Sequence, residues 1–189
     1  MHLPRRAQGL TLIELLMFIA VVGIALAAML RVFITATSAS ADPMIRRQQL
    51  AIAESLLREV QLMPVTWCDP EDANVETATS AVVSASGCAA TVENSGAEGG
   101  ESRYGPTNYF DNVNDYAGFT MTGIRDHANA AVSGLSGYTA SVAVAAGALD
   151  TLTAGSGDAL KITVTVSGPD SSSIVLQGWR TRYAPQSAF

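Results

Sequence analysis

A carboxylate stands inside a long apolar run. Glu14 lies between Ile13 and Leu15, and from Leu15 to Leu30 (LLMFIAVVGIALAAML) no side chain is charged or hydrogen-bonding. A charged residue at the centre of a membrane helix costs about 2.5–3.5 kcal/mol, and less near an end where it reaches headgroups. Such a group has a use if a cation from another chain meets it; otherwise it is a tolerated charge at the interface. The sequence has two cysteines, Cys68 and Cys88. Oxidised, they close a loop of about 20 residues, worth about 3 kcal/mol in the chain-entropy account; two free thiols are the alternative. Their spacing is not C-x-x-C and no His pair accompanies them, which disfavours a zinc or thioredoxin-like site. Asp111, Asn112, Asn114 and Asp115 offer oxygens of the kind calcium takes. They do not follow the D-x-[DN]-x-[DN]-G spacing, and the simpler reading is an Asx-turn loop between Phe110 and Tyr116. The expectation is no cofactor, with calcium at this loop as the lesser alternative. Enzyme motifs (G-x-S-x-G, Walker A, H-E-x-x-H) are absent, and His127 is the only histidine after His2. No catalytic residue is assigned and no enzyme is expected.

The elements around these residues follow from where the apolar residues sit. The chain has 189 residues, 48% hydrophobic but only 15% charged, with mean hydropathy +0.24 and formal net charge -6. This disfavours a disordered chain and a basic nucleic-acid binder. Leu10 to Leu30 is about 21 residues, roughly 31 Å as a helix, against a hydrocarbon core of roughly 30 Å. No later segment approaches this length. His2, Arg5 and Arg6 precede it, as in an export signal. Cutting after Ala25-Leu26-Ala27 would release a soluble protein; cutting at Gly9 would keep the apolar helix as an anchor. Glu14 favours the second, because a discarded signal has no use for its cost.

Beyond Arg31, Thr35 to Ala41 is small and weakly helical. Asp42-Pro43 reads either as an N-cap with Pro at the first helical position or as a kink in one long helix. Ile45, Ile52, Leu56, Val60 and Met63 then share a helix face, with Arg46, Arg47, Glu54, Arg58 and Glu59 mostly elsewhere, and Pro64 ends the run. Residues 64–189 hold thirteen acids and five bases. Asp69, Glu71, Asp72, Glu76, Glu93, Glu98 and Glu101 all precede Arg103, which reads as a solvated acidic loop and argues against direct contact with nucleic acid. Residues 84–103 read as irregular. Strand patterns follow at Gly118–Ile124, Tyr138–Val144, Leu160–Val166 and Ile174–Tyr183, the last two forming a hairpin across Ser167-Gly168-Pro169-Asp170-Ser171. A long helix followed by an antiparallel sheet is an α+β chain.

Gly9-Leu10-Thr11-Leu12-Ile13-Glu14-Leu15-Leu16 resembles the start of type IV pilins and pseudopilins. That family has a short basic leader ending in Gly, a hydrophobic first mature residue, Glu at the fifth mature position and a long apolar helix. The resemblance implies cleavage after Gly9 and N-methylation of Leu10 by a prepilin peptidase. It also implies the pilin-like fold and intersubunit charge pairing through Glu14. Leu10 departs from the commoner Phe or Met. Phe110-Asp111-Asn112-Val113-Asn114-Asp115-Tyr116-Ala117-Gly118 is similar to the F-D-D-V-D-D-Y-x-G stretch of MshD-type minor pilins of the MSHA pilus, and Leu176 to Tyr183 is similar to that subgroup's C-terminus. Asn112 and Asn114 replace two of its acids. The implied division is a leader at 1–9, an assembly helix at 10–33, its amphipathic continuation at 34–63 and an acidic globular part at 64–189. The implied partners are the peptidase, major and minor pilins, the inner-membrane assembly platform and membrane lipid. The implied location is the inner membrane with the globular part periplasmic, then the pilus. Rival readings are a pseudopilin of a type II secretion system and an adhesin or DNA-uptake subunit.

Overall fold

The computed structural model describes residues 11–105 and 107–182 and, for 36–42, the backbone alone. Gly9, Leu10 and Tyr183 lie outside the described residues. The chain divides into two compact units, Met1–Met44 and Ile45–Phe189. Helix α1 (Leu12–Leu62) crosses that division and contains Pro43. Of the two readings of Asp42-Pro43, the helix runs through rather than starting there. A proline there removes one N–H from the ladder, a local loss that an otherwise helical chain can carry.

In the first unit, Leu12–Thr35 is long and apolar enough to cross a membrane, and all of its side chains are exposed. In the second unit, the helix turns one face to the core. Ile52, Ala53, Leu56 and Val60 are buried, and Ile45, Leu57 and Met63 pack at the margin. The spacing places this face correctly but passes over Gln49, which is fully buried. The cost of burying its amide is offset because Nε2 donates to the Ser172 carbonyl at 2.8 Å and to Ser172 Oγ at 3.1 Å.

The opposing layer is a four-stranded antiparallel sheet in the order β1 (Thr120–Thr122), β2 (Thr139–Ala146), β3 (Ala159–Ser167), β4 (Ser173–Thr181). Leu160, Ile162, Val164 and Val166 alternate inward along β3, as a half-buried strand requires. Register continues the row, with Val142 opposite Val164, Ala140 opposite Val166 and Leu176 opposite Val164 from the other side. On the edge strand β4, Gly178 lets α1 approach: a Cβ there would lie 2.5 Å from Gln61 Nε2 and 3.1 Å from Leu57 Cδ1. The β3–β4 turn places Ser171 at φ 65° and closes with Gly168 N–H donating to the Ser172 carbonyl at 2.9 Å. Helix and antiparallel sheet together are the α+β, pilin-like architecture expected from the sequence.

Between α1 and the short 3-10 turn Asn114–Tyr116, only isolated bridges and turns are present among the described residues. This stretch is held by side chains. A small second core of Cys68, Ala78 and Cys88 is flanked by Trp67, Val75 and Val92. Phe110, Tyr116 and Phe119 form an edge-to-face cluster with centroids 4.9–6.1 Å apart.

Candidate functional site

At the start of α1 the Thr11 carbonyl accepts from both Glu14 N–H and Leu15 N–H at 3.1 Å. Glu14 therefore sits in the first helical turn, where the free N–H groups and helix dipole favour a carboxylate. It is the only acid between Leu12 and Thr35, and its side chain is exposed. An exposed apolar helix with one carboxylate at its N-terminal end can bind lipid or like helices, and can offer a single counter-charge to a cation.

Three polar clusters stand out among the described residues of the second unit. The first joins helix to loop. Arg103 Nε and Nη2 donate to the two Glu59 oxygens at 2.6 and 2.8 Å, Tyr116 Oη donates to Glu59 at 2.8 Å, and Arg103 Nη1 donates to the Arg125 carbonyl at 3.1 Å. His127 Nε2 lies 3.4 Å from the same carboxylate but is largely exposed. Burial pushes the Glu59 carboxyl up, but Arg103, Tyr116 and His127 more than offset this and hold it below its ordinary value. Burial, then the Glu59 charge, pushes the Tyr116 hydroxyl well above its usual range. Glu59 thus lies off the apolar stripe and is nonetheless largely buried.

The second cluster centres on Asp72. Its Oδ1 accepts from Asn74 N–H and Ala89 N–H, and its Oδ2 from Ala90 N–H and Thr91 N–H, all at 2.8–2.9 Å. The Thr91 N–H, against a smaller cost of burial and together with the other three, holds this carboxyl well below the usual Asp range. A depressed folded value means that the unfolded chain takes up the proton first. The stabilisation is therefore complete above the ordinary Asp value near 3.8 and is lost as pH falls below it. Asp72→Asn keeps one acceptor oxygen and strands two N–H groups. It should lower the thermal midpoint at pH 7, with the gap to wild type narrowing steadily below about pH 4. Midpoints measured from pH 2 to 7 check this, and a pH-independent gap would count against it.

The third cluster is acidic. Glu93, Glu98 and Asp115 each bring a carboxylate oxygen within 4.8 Å of the others. Asp115 Oδ2 accepts from Asp111 N–H at 2.8 Å and Asn112 N–H at 2.7 Å. Burial, then the charges of Asp115 and Glu98, pushes the Glu93 carboxyl far up. Burial, then Asp115, Asp69, Glu71 and Glu98, pushes Asp111 up to about 7. Of the four calcium candidates in the Phe110–Tyr116 loop, Asp115 joins this cluster. Asn112 donates instead to Thr66 Oγ1 at 2.7 Å, and the Asn114 carbonyl accepts from Gly96 N–H and Ala117 N–H. The acidic stretch before Arg103 is therefore not simply solvated: Asp72 and Glu93 are buried. Charge composition could not separate these two from their exposed neighbours.

Cys68 and Cys88 are bonded, with Cα atoms 5.4 Å apart and both side chains fully buried. Arg182 stacks on Trp67 at 3.6 Å from ring centroid, beside Asp158 at 3.5 Å.

Residues 4–30 match the family described as the prokaryotic N-terminal methylation motif. The match takes in Gly9, Leu10, Glu14 and the apolar run to Leu30. No curated protein and no solved structure matches the chain. The motif is an N-terminus of the kind that type IV pilin-like and pseudopilin precursors carry. The Glu59–Arg103 pair was missed in the sequence. Its one signal was Arg103 itself, the sole base between Pro64 and Ile124.

Proposed function

We propose that this chain is a minor type IV pilin of the MshD type. The observation that carries the reading is the methylation motif over residues 4–30, with Glu14 in the first turn of an exposed apolar helix. The precursor sits in the bacterial inner membrane with its globular unit on the periplasmic side. Prepilin peptidase cuts after Gly9 and methylates the new amine of Leu10. That amine has an ordinary pKa near 8, is mostly cationic at pH 7 and keeps its charge when methylated. In apolar surroundings it and a carboxylate are each costly alone and attract each other strongly. An incoming subunit whose Leu10 amine meets Glu14 of a neighbour neutralises both, and the pair fixes register rather than adding net stability. The subunit then joins other pilins through the assembly platform and leaves the membrane for the pilus.

The mature protein should begin at N-methylated Leu10 by mass spectrometry; a start at Ala28 would overturn the reading. Glu14→Ala should insert into the membrane at the wild-type level yet be missing from the sheared filament fraction. Normal incorporation of that variant would remove Glu14 from the mechanism.

A further inference from the structure

Five oxygens of the acidic cluster region are buried without a hydrogen-bond partner: Glu93 Oε1, Glu98 Oε2, Asp111 Oδ1, Asn112 Oδ1 and Asp115 Oδ1. Three of the residues that carry them are more than nine-tenths buried, Glu93 at 8% exposed, Asp115 at 2% and Asn112 at 0%. Buried oxygens of this kind are costly and are almost always paired with a donor or a cation. The Glu93, Glu98 and Asp115 oxygens converge within 4.8 Å of one another. Oxygens that close can share one divalent cation; calcium accepts an irregular all-oxygen set from flexible segments, whereas magnesium demands near-octahedral geometry and keeps its waters. The nearby protein cation, Arg182, is stacked on Trp67 and lies 3.5 Å from Asp158; its Nε is itself buried without a hydrogen-bond partner, and among the described residues it makes no hydrogen bond to the cluster. Asp115 also has its second oxygen tied to the backbone of Asp111 and Asn112, which fixes the carboxylate without using Oδ1.

We propose that Glu93, Glu98 and Asp115 bind one calcium ion, with Asp111 beside them as a further oxygen donor. The ion bridges the irregular segment around residues 93–98 to the 3-10 turn that precedes the sheet. This site differs from the run of four loop residues that residue type alone suggested: two of its three ligands come from a segment that sequence distance keeps apart from Asp115. It is independent of the subunit reading, since neither Gly9 nor Glu14 takes part. The competing occupant is a proton. Glu93, if protonated, would instead donate to Asp115. The two occupants make opposite predictions for added metal.

The test uses the full chain in detergent micelles, stripped with EDTA and titrated with CaCl2 and, separately, MgCl2. Calcium sites of exported modules bind at about 10⁻⁴–10⁻³ M, so about 10 mM CaCl2 should raise the thermal midpoint by roughly 3–10 °C. Terbium luminescence should titrate to one ion per chain and be displaced by calcium, with magnesium much weaker. Glu93→Gln and Glu98→Gln should each abolish the calcium shift. Glu93→Gln should also match or exceed the EDTA-treated wild type in midpoint, because it removes one of the crowded charges. Asp115 is left intact, since its other oxygen holds the turn. A wild-type midpoint indifferent to calcium, or a calcium shift that survives in both glutamine variants, would overturn the site.

Discussion

Arg103→Ala should lower the unfolding free energy of the globular unit by about 3–5 kcal/mol, the usual cost of removing one partner from a buried ion pair. The guanidinium is 6% exposed and Glu59 is 12% exposed. Three of its N–H groups are committed, two to Glu59 and one to the Arg125 carbonyl. Its plane also lies 5.2 Å from the Tyr104 ring centroid and 5.8 Å from that of Phe119. Truncation leaves a largely buried carboxylate with Tyr116 and an exposed His127, and opens a gap beside the aromatic cluster. Both Trp67 and Trp179 lie in this unit, so denaturant unfolding of the full chain in detergent can be followed by their fluorescence. Replacing both partners, Glu59→Leu with Arg103→Met, should cost clearly less than the sum of the single changes, because no unpaired charge is left buried. Strict additivity, or a loss below about 1 kcal/mol for Arg103→Ala, would show that the pair does not brace the helix against the loop. The folded Glu59 value is depressed, so the contribution of the pair is complete above the ordinary Glu value near 4.5 and is lost as pH falls below it.

What could be read from the residues divides along a physical line. Periodic patterns are local, and they located α1, the inward row Leu160, Ile162, Val164 and Val166, and the turn at Ser167–Ser171. The apolar run with Glu14 was legible for the same reason: length and charge in one continuous segment are enough. Contacts that join distant segments left no such trace. Glu59 pairs with Arg103 and Gln49 with Ser172, across 44 and 123 residues. Neither polar residue belongs to the apolar stripe, because periodicity assigns a face by hydrophobicity and cannot see a partner arriving from a loop. The same limit applies to the acids. Asp72 and Glu71 are neighbours of one type, yet Asp72 is buried under four backbone N–H groups while Glu71 is exposed. The difference lies in residues 89–91, which return to Asp72 only because the chain between is closed.

That closure leads to the second large effect. Replacing both Cys68 and Cys88 with alanine should cost about 3 kcal/mol from the freed loop entropy, at a sequence separation of 20. The measured loss should exceed that figure, for two reasons. The sulfurs form the small second core with Ala78, and truncation removes packed atoms from a site that is fully buried. The disulfide also places Ala89, Ala90 and Thr91 beside Asp72, so loosening it weakens a four-donor carboxylate site as well. No regular element among the described residues spans this stretch, so little else resists its opening. The sheet and the Glu59–Arg103 strut lie outside the loop, and they should persist when it opens. Hydrogen exchange on the full chain should therefore show protection lost first across residues 68–92, while β2 and β3 keep theirs until global unfolding. Reductant alone should act slowly on the wild type, because a bond with no exposed sulfur must wait for opening before a thiolate can reach it. A variant that loses protection uniformly would mean that the loop and sheet unfold as one unit, and that the disulfide staples the whole globular unit rather than this segment.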